Sequence, residues 1–198
     1  IRLDPKLAVA YNNRANLWTS NGDYDKAIAD YNEAIRLNPK YVNDYYNRAR
    51  AWYKKGDKDK AIVDYNEAIR LNPQTADAYN NRGVIWSDKD DNDRAIADYN
   101  EAIRLDPKLA IAYYNRGNAW DKKGDYTKAV ADFREAIQIN PNHANAKEKL
   151  ELAEQKIRRQ QKQTIASFPN PSSTPTPVPQ QGTTFTSSSS GKRVALVI

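Results

Sequence analysis

Cysteine and methionine are both absent from the 198 residues, and histidine occurs once, at His143. The first absence removes disulfides, thiolate metal sites and cysteine nucleophiles from this stretch of chain. One imidazole cannot assemble a His-based acid–base pair or a multi-histidine metal site, so no catalytic group, metal or cofactor is expected here. No apolar run approaches the ~20 residues that a membrane helix requires. Hydrophobic residues make up 39% and the mean hydropathy is −0.91. That is thin for one spherical core, but it suits an elongated stack in which each unit buries one face against its neighbour.

Charge is present in both signs, with a net +6. Residues 1–141 hold 23 Lys+Arg against 22 Asp+Glu, residues 142–163 hold 6 against 3, and Lys192 and Arg193 add the remainder. The basic excess therefore lies in the tail. A phosphate-binding face needs clustered cations, so nucleic acid is not an expected partner.

What is abundant is repetition. AIADYNEAIRLNP at 27–39 returns as AIVDYNEAIRLNP at 61–73, AIADYNEAIRLDP at 95–107 and AVADFREAIQINP at 129–141. Pro5, Pro39, Pro73, Pro107 and Pro141 stand 34 residues apart, and a fixed period of that size marks stacked repeats. The chain begins in mid-repeat with IRLDP and without methionine. Both features point to a piece whose natural N-terminus lies elsewhere.

Each period carries two helical patterns. The first is expected over roughly 8–21, 42–55, 76–89 and 110–123, the second over 25–38, 59–72, 93–106 and 127–140. Gly22, Gly56 and Gly124 supply the positive φ that ends the first helix, and the next Asp can cap the second. The third unit reads DKDDND without glycine, so an Asp or Asn must take the left-handed conformation there. Asn/Asp-Pro stops each second helix.

Aligned Tyr, Gly/Ala, Trp, Gly-Asp, Ala, Tyr/Phe, Ala and Pro make the chain resemble the tetratricopeptide repeat family. In the first unit these are Tyr11, Ala15, Trp18, Gly22-Asp23, Ala27, Tyr31, Ala34 and Pro39. The resemblance covers 1–141 and implies an all-α, right-handed superhelical solenoid of helix–turn–helix repeats. Residues 1–7 would end a preceding repeat. Four repeats would follow, at about 8–41, 42–75, 76–109 and 110–143. A capping helix is expected at 142–163 and a disordered Pro/Ser/Thr-rich linker at 164–190, whose composition cannot bury enough apolar surface. Residues 191–198, GKRVALVI, resemble the first strand of caspase-like (metacaspase-type) peptidase domains. Another α/β domain or a truncated membrane helix would fit the same run.

The acidic pairs at the starts of the second helices read as caps rather than as acid–base or Ca²⁺ sites. Trp18, Trp52, Trp86 and Trp120 read as packing rather than as a carbohydrate surface. Arg14, Arg48, Arg82 and Arg116 depart from the family, which more often has Leu there. Asp30, Asp64, Asp98 and Asp132 lie equally far beyond the turn, so an antiparallel helix pair makes Arg–Asp neighbours. The rival reading turns these arginines into the groove as carboxylate ligands.

The resemblance further implies that the first helices line a concave groove for an extended or helical peptide. The candidates are Asn12, Asn13, Asn16 and Ser20, then Asn43, Tyr46, Asn47, Arg50 and Lys54. Asp77, Asn80, Asn81, Val84 and Asp88 follow, then Ile111, Tyr114, Asn115, Asn118 and Lys122. The aligned Asn13, Asn47, Asn81 and Asn115 offer amides that can pair with a peptide backbone, or can bond within their own helix. Some family members clamp chaperone C-termini with Lys, Asn, Asn, Lys and Arg. Here Asn16 and Asn47 meet the Asn positions, but Asn12, Asp77 and Asn81 stand at the cationic ones. One repeat later the set reads Tyr46, Arg50, Asn81, Ile111 and Asn115. Neither register supplies the cations, so a chaperone tail is not the expected ligand. The expected function is a non-catalytic protein- or peptide-binding scaffold, or the regulatory arm of a larger, caspase-like enzyme.

Overall fold

The structure, a computed structural model, describes residues 5–167, and the side chains of 7–164. Nine α-helices and no strand occur among the described residues. They pair as α1 (Pro5–Ser20) with α2 (Tyr24–Leu37), α3 (Val42–Lys55) with α4 (Lys58–Leu71), α5 (Ala76–Asp88) with α6 (Asn92–Leu105), and α7 (Ala110–Lys122) with α8 (Tyr126–Ile139). Each second helix also packs on the first helix of the next pair, and α8 packs on α9 (Ala144–Ser167). The result is a solenoid of helix–turn–helix units. No described helix is long and apolar enough to cross a membrane.

The turns explain where the helices stop. Gly22, Gly56 and Gly124 have φ of 82°, 98° and 81°, and Asp90 takes their place at φ 58°. A side chain in that conformation is disfavoured, least so for Asp and Asn. Asp90→Gly is therefore expected to raise stability by about 0.5–1 kcal/mol in urea titration, and Gly124→Ala to lower it by a similar amount.

Beyond the turn, Asp57, Asp91 and Asp125 accept a hydrogen bond from the backbone N–H of Lys60, Arg94 and Lys128 at 3.0–3.1 Å. The same three basic side chains fold back to their Asp and lie 3.8–4.3 Å from the ring centres of Trp52, Trp86 and Trp120. One basic residue thus completes a cap, a salt bridge and a cation–π contact. The hydrogen bond from that side chain, followed by the one from its backbone N–H, holds the three carboxyls below their usual range. Asp23 makes no side-chain cap bond, although Lys26 still reaches it at 3.1 Å.

The core is a series of small clusters. Tyr31, Tyr65, Tyr99 and Phe133 are fully buried, each against small residues of the partner helix. Burial of such a ring contributes roughly 1.5–3 kcal/mol of transfer free energy. In the third and fourth pairs the approach is closest. A Cβ on Gly83 would sit 2.7 Å from the Tyr99 ring, and one on Gly117 2.7 Å from that of Phe133. The tryptophans join neighbouring clusters. Trp52 packs on the cores of the first and second pairs, Trp86 on the second and third, and Trp120 on the third and fourth.

α9 covers the end of the stack through Ala146, Leu150, Ala153 and Ile157, with Ala153 buried against Phe133 and Val130. It continues to Ser167, four residues past the end expected for the capping helix. The rest of the expected linker and the GKRVALVI segment lie outside the described residues.

Candidate functional site: a groove along the first helices

Two adjoining cavities form a groove that shares Val84. The first, about 140 Å³, is lined by Arg50, Tyr53, Lys54, Tyr65, Asn81 and Val84. The second, about 360 Å³, is lined by Val84, Ser87, Asp88, Tyr99, Tyr114, Asn115, Asn118, Asp121, Lys122 and Lys149. Side chains from α3, α5, α7 and α9 form its walls, and Tyr65 and Tyr99 reach its floor from α4 and α6. Nine of the expected residues come together here: Arg50, Lys54, Asn81, Val84, Asp88, Tyr114, Asn115, Asn118 and Lys122.

Several others stand elsewhere. Asn12 and Asn80, both groove candidates, are buried. Asn12 donates to the Asp44 carboxylate between α1 and α3, and Asn80 accepts from Asn115 at 3.0 Å. Asn12 and Asn13 line a separate cleft with Ala8, Val9, Asn38, Tyr41 and Asp44. Asn16 is tied to Asn12 and Tyr31 at 3.1 and 2.6 Å, and Ser20 donates to the Asn16 carbonyl. Asn43 donates to the Tyr41 hydroxyl at 3.2 Å, and Asp77 and Ile111 are exposed away from both cavities.

The aligned asparagines divide. Asn81 donates to the Tyr46 hydroxyl at 2.9 Å, and Asn80 donates to Asn81 at 3.2 Å. With Asn115 on Asn80, this makes a polar ladder across α3, α5 and α7. Two of these bonds join the first helices of successive pairs, and the third, from Asn80 to Asn81, stays within α5. The side chains of Asn13 and Asn47 form no hydrogen bond among the described residues.

The groove's charges are unequally matched. Asp88 accepts from Tyr53 at 2.8 Å and lies 3.8 Å from Lys58, while Asp121 takes two bonds from Lys156 at 2.7 Å. Burial, followed by the hydrogen bond to Asp88, pushes the Tyr53 phenol up to about 12. Lys122 donates to the Ser87 carbonyl and hydroxyl at 3.0 and 3.2 Å. Arg50, Lys54 and Lys149 form no salt bridge among the described residues. Sequence reasoning missed Tyr53, Tyr65, Ser87, Tyr99, Asp121 and Lys149. The first five lie in or beside the repeated motif, but Lys149 belongs to the cap, where the repeat gives no register.

The arginine series does not line this groove. Arg14, Arg48, Arg82 and Arg116 each grip Asp30, Asp64, Asp98 and Asp132 with Nε and Nη2 at 2.6–2.8 Å. Nη1 of the last three donates to Asn32, Asn66 and Asn100 of the preceding second helix at 2.6–2.7 Å. Each guanidinium thus closes its own pair and stitches it to the pair before. Its planar fork makes that possible, since two parallel N–H groups meet the carboxylate while a third, on Nη1, reaches the amide. A second tie runs along the edge, from Lys55, Lys89 and Lys123 to Asp25, Asp59 and Asp93. These acids are almost fully solvated, so each such pair adds at most ~1 kcal/mol.

Stacked helix pairs with a groove on their first helices define a helical-repeat solenoid. A tetratricopeptide repeat model matches residues 8–41 and 110–143, and a TPR repeat model matches 49–86 and 87–120. The chain belongs to the tetratricopeptide repeat family. No match is found among curated proteins. Among solved structures, MamA is 24% identical with a TM-score of 0.72, covering 81% of this chain and 87% of its own. YrrB, described as a TPR protein with an unusual peptide-binding site, is 22% identical at TM-score 0.63, covering 74% and 75%. The first TPR of Spaghetti (RPAP3), bound to the HSP90 peptide SRMEEVD, is 22% identical at TM-score 0.58, covering 59% and 95%. At these identities the likeness is one of fold.

Proposed function

We propose that the chain is a non-catalytic protein- or peptide-binding scaffold that holds its ligand in the groove along α3, α5, α7 and α9. The observation that carries this reading is the groove's make-up: a tyrosine floor, a polar ladder, and the cations Arg50, Lys54 and Lys149 left without acidic partners. An extended ligand bearing carboxylates complements that surface. Two structural neighbours, YrrB and the RPAP3 domain, carry peptide-binding sites by their descriptions. The chaperone clamp residues are not in place here, so the ligand is not expected to be a chaperone tail.

Selection of displayed random peptides on the full chain tests the reading. Enriched peptides are expected to lose roughly tenfold or more in affinity with Val84→Arg or Arg50→Glu, and to bind more weakly as salt rises. Val63→Arg, on an exposed face of α4 outside the groove, is expected to leave binding unchanged. Failure to enrich any peptide, or equal sensitivity to Val63→Arg, sinks the proposal. A role as the recruiting arm of a caspase-like enzyme rests on GKRVALVI alone, and sequencing onward for a His and a Cys tests it.

A further inference from the structure

We infer that the cleft between α1 and α3 is a binding site for a primary ammonium group on an aliphatic stem, such as the end of a lysine side chain. The cleft, about 180 Å³, lies where α1, the end of α2 and the start of α3 meet. Its acid is Asp44, 1% exposed, at a position that Ala10, Ala78 and Ala112 fill in the other repeats. Burial pushes its carboxyl up to about 6, so the charged form costs folding free energy that alanine would avoid. Asn12 donates to Oδ1, and no described residue donates to Oδ2. Among the described residues Asn92 Oδ1 is the one fully enclosed side-chain atom without a partner, so Oδ2 of Asp44 keeps an opening to the cleft. The cation one turn further along α3 is committed elsewhere, since Arg48 gives its donors to Asp64 and Asn32.

Two further acceptors line the same space. The side chains of Asn13 and Asn38 form no hydrogen bond among the described residues. Asn38 stands out in this, because its counterparts Asn72, Asp106 and Asn140 each accept from the backbone N–H two residues on, at 3.0–3.1 Å. Asp44 Oδ2 and the carbonyl oxygens of the two amides make three acceptors, the number that an ammonium group can fill. A guanidinium suits the site less, because its paired donors call for both carboxylate oxygens and Asn12 holds one. Val9 and Tyr41, both exposed, give apolar wall for a methylene stem. The cleft shares no residue with the two groove cavities, so the site stands whether or not the groove takes a peptide.

Titration of the full chain with n-butylammonium at constant ionic strength, followed by the side-chain amide signals of Asn12, Asn13 and Asn38 in NMR spectra, tests the site. Saturable shifts are expected with a Kd of roughly 1–10 mM, as suits so small a ligand. Binding of n-butylguanidinium is expected to be weaker by about threefold or more, and 1-butanol is not expected to saturate. Asp44→Asn keeps an acceptor for Asn12 and is expected to weaken the amine about tenfold or more, whereas Val84→Arg, in the groove, leaves it unchanged. Nα-acetyl-lysine amide separates the two sources of the group. Saturation by it assigns the cleft to a lysine of a partner chain, and its exclusion beside n-butylammonium binding assigns the cleft to a free alkyl amine. The absence of saturable shifts, equal binding of the alcohol or the guanidinium, or an amine affinity that survives Asp44→Asn overturns the proposal.

Discussion

Asp98→Ala is expected to destabilise the chain by about 3–5 kcal/mol, among the largest effects of any single substitution. Asp98 and Arg82 are both largely buried, and the guanidinium gives the carboxylate two bonds at 2.6 and 2.8 Å. Removing the acid leaves a cation in a place where water cannot replace the lost oxygens, with only Asn66 to hold it. Replacing the whole pair is a different experiment. Arg82→Met with Asp98→Leu removes both desolvation costs and is expected to fall within roughly 2 kcal/mol of the parent. At the first repeat, where Arg14 is mostly solvated, Asp30→Ala is expected to cost clearly less than Asp98→Ala. Urea unfolding of the four proteins gives the order. Equal losses from Asp98→Ala and from the double substitution would show that the site needs apolar contact rather than charge pairing.

Asp44→Asn is expected to stabilise the chain at neutral pH by about 2 kcal/mol, by a margin that depends on pH. Asp44 is almost fully buried at the joint of α1 and α3, where the first, third and fourth repeats carry alanine. Burial raises its carboxyl from 3.8 to about 6, against the opposing pull of the Asn12 amide and of Arg48. A raised value means that the folded chain holds this proton more tightly than the unfolded one. Between about pH 4 and 6 the folded chain keeps the proton and the unfolded chain loses it, so stability falls as pH rises through that window. Above about pH 6 the full cost of the buried charge is carried. Asparagine keeps an acceptor for the Asn12 amide without the charge. The difference between the two proteins should therefore grow from pH 4 to 6 and then level off. A difference independent of pH would place the effect in packing instead.

Much of this molecule was legible as a period. Pattern and turn chemistry put the first- and second-helix boundaries within a residue or two of those observed, apart from the start of α1. The left-handed residue of the third turn was also foreseen as an Asp or Asn, and it is Asp90. Equal spacing across a turn was enough to set Arg14 opposite Asp30, because an antiparallel pair makes sequence distance into spatial registry. The third arm of the guanidinium was not foreseen. Its partner asparagine lies in the preceding repeat, and adjacency between repeats depends on how the pairs stack.

The groove shows the same division more sharply. Alignment identified its helices, but it placed Asn12 and Asn80 among the groove candidates alongside Asn81. Whether a position is open depends on what the neighbouring helix brings against it, and a column of aligned residues is blind to that. Asp44 is the clearest case. The sequence alone marks it as the one acid in a column of alanines, yet only the packing of α1 over α3 turns that oddity into a buried, proton-sensitive carboxylate. Local rules act within one helix pair and repeat with the sequence. Burial is set between pairs, so tertiary structure decided which repeated side chains brace the solenoid and which are left free to meet a ligand.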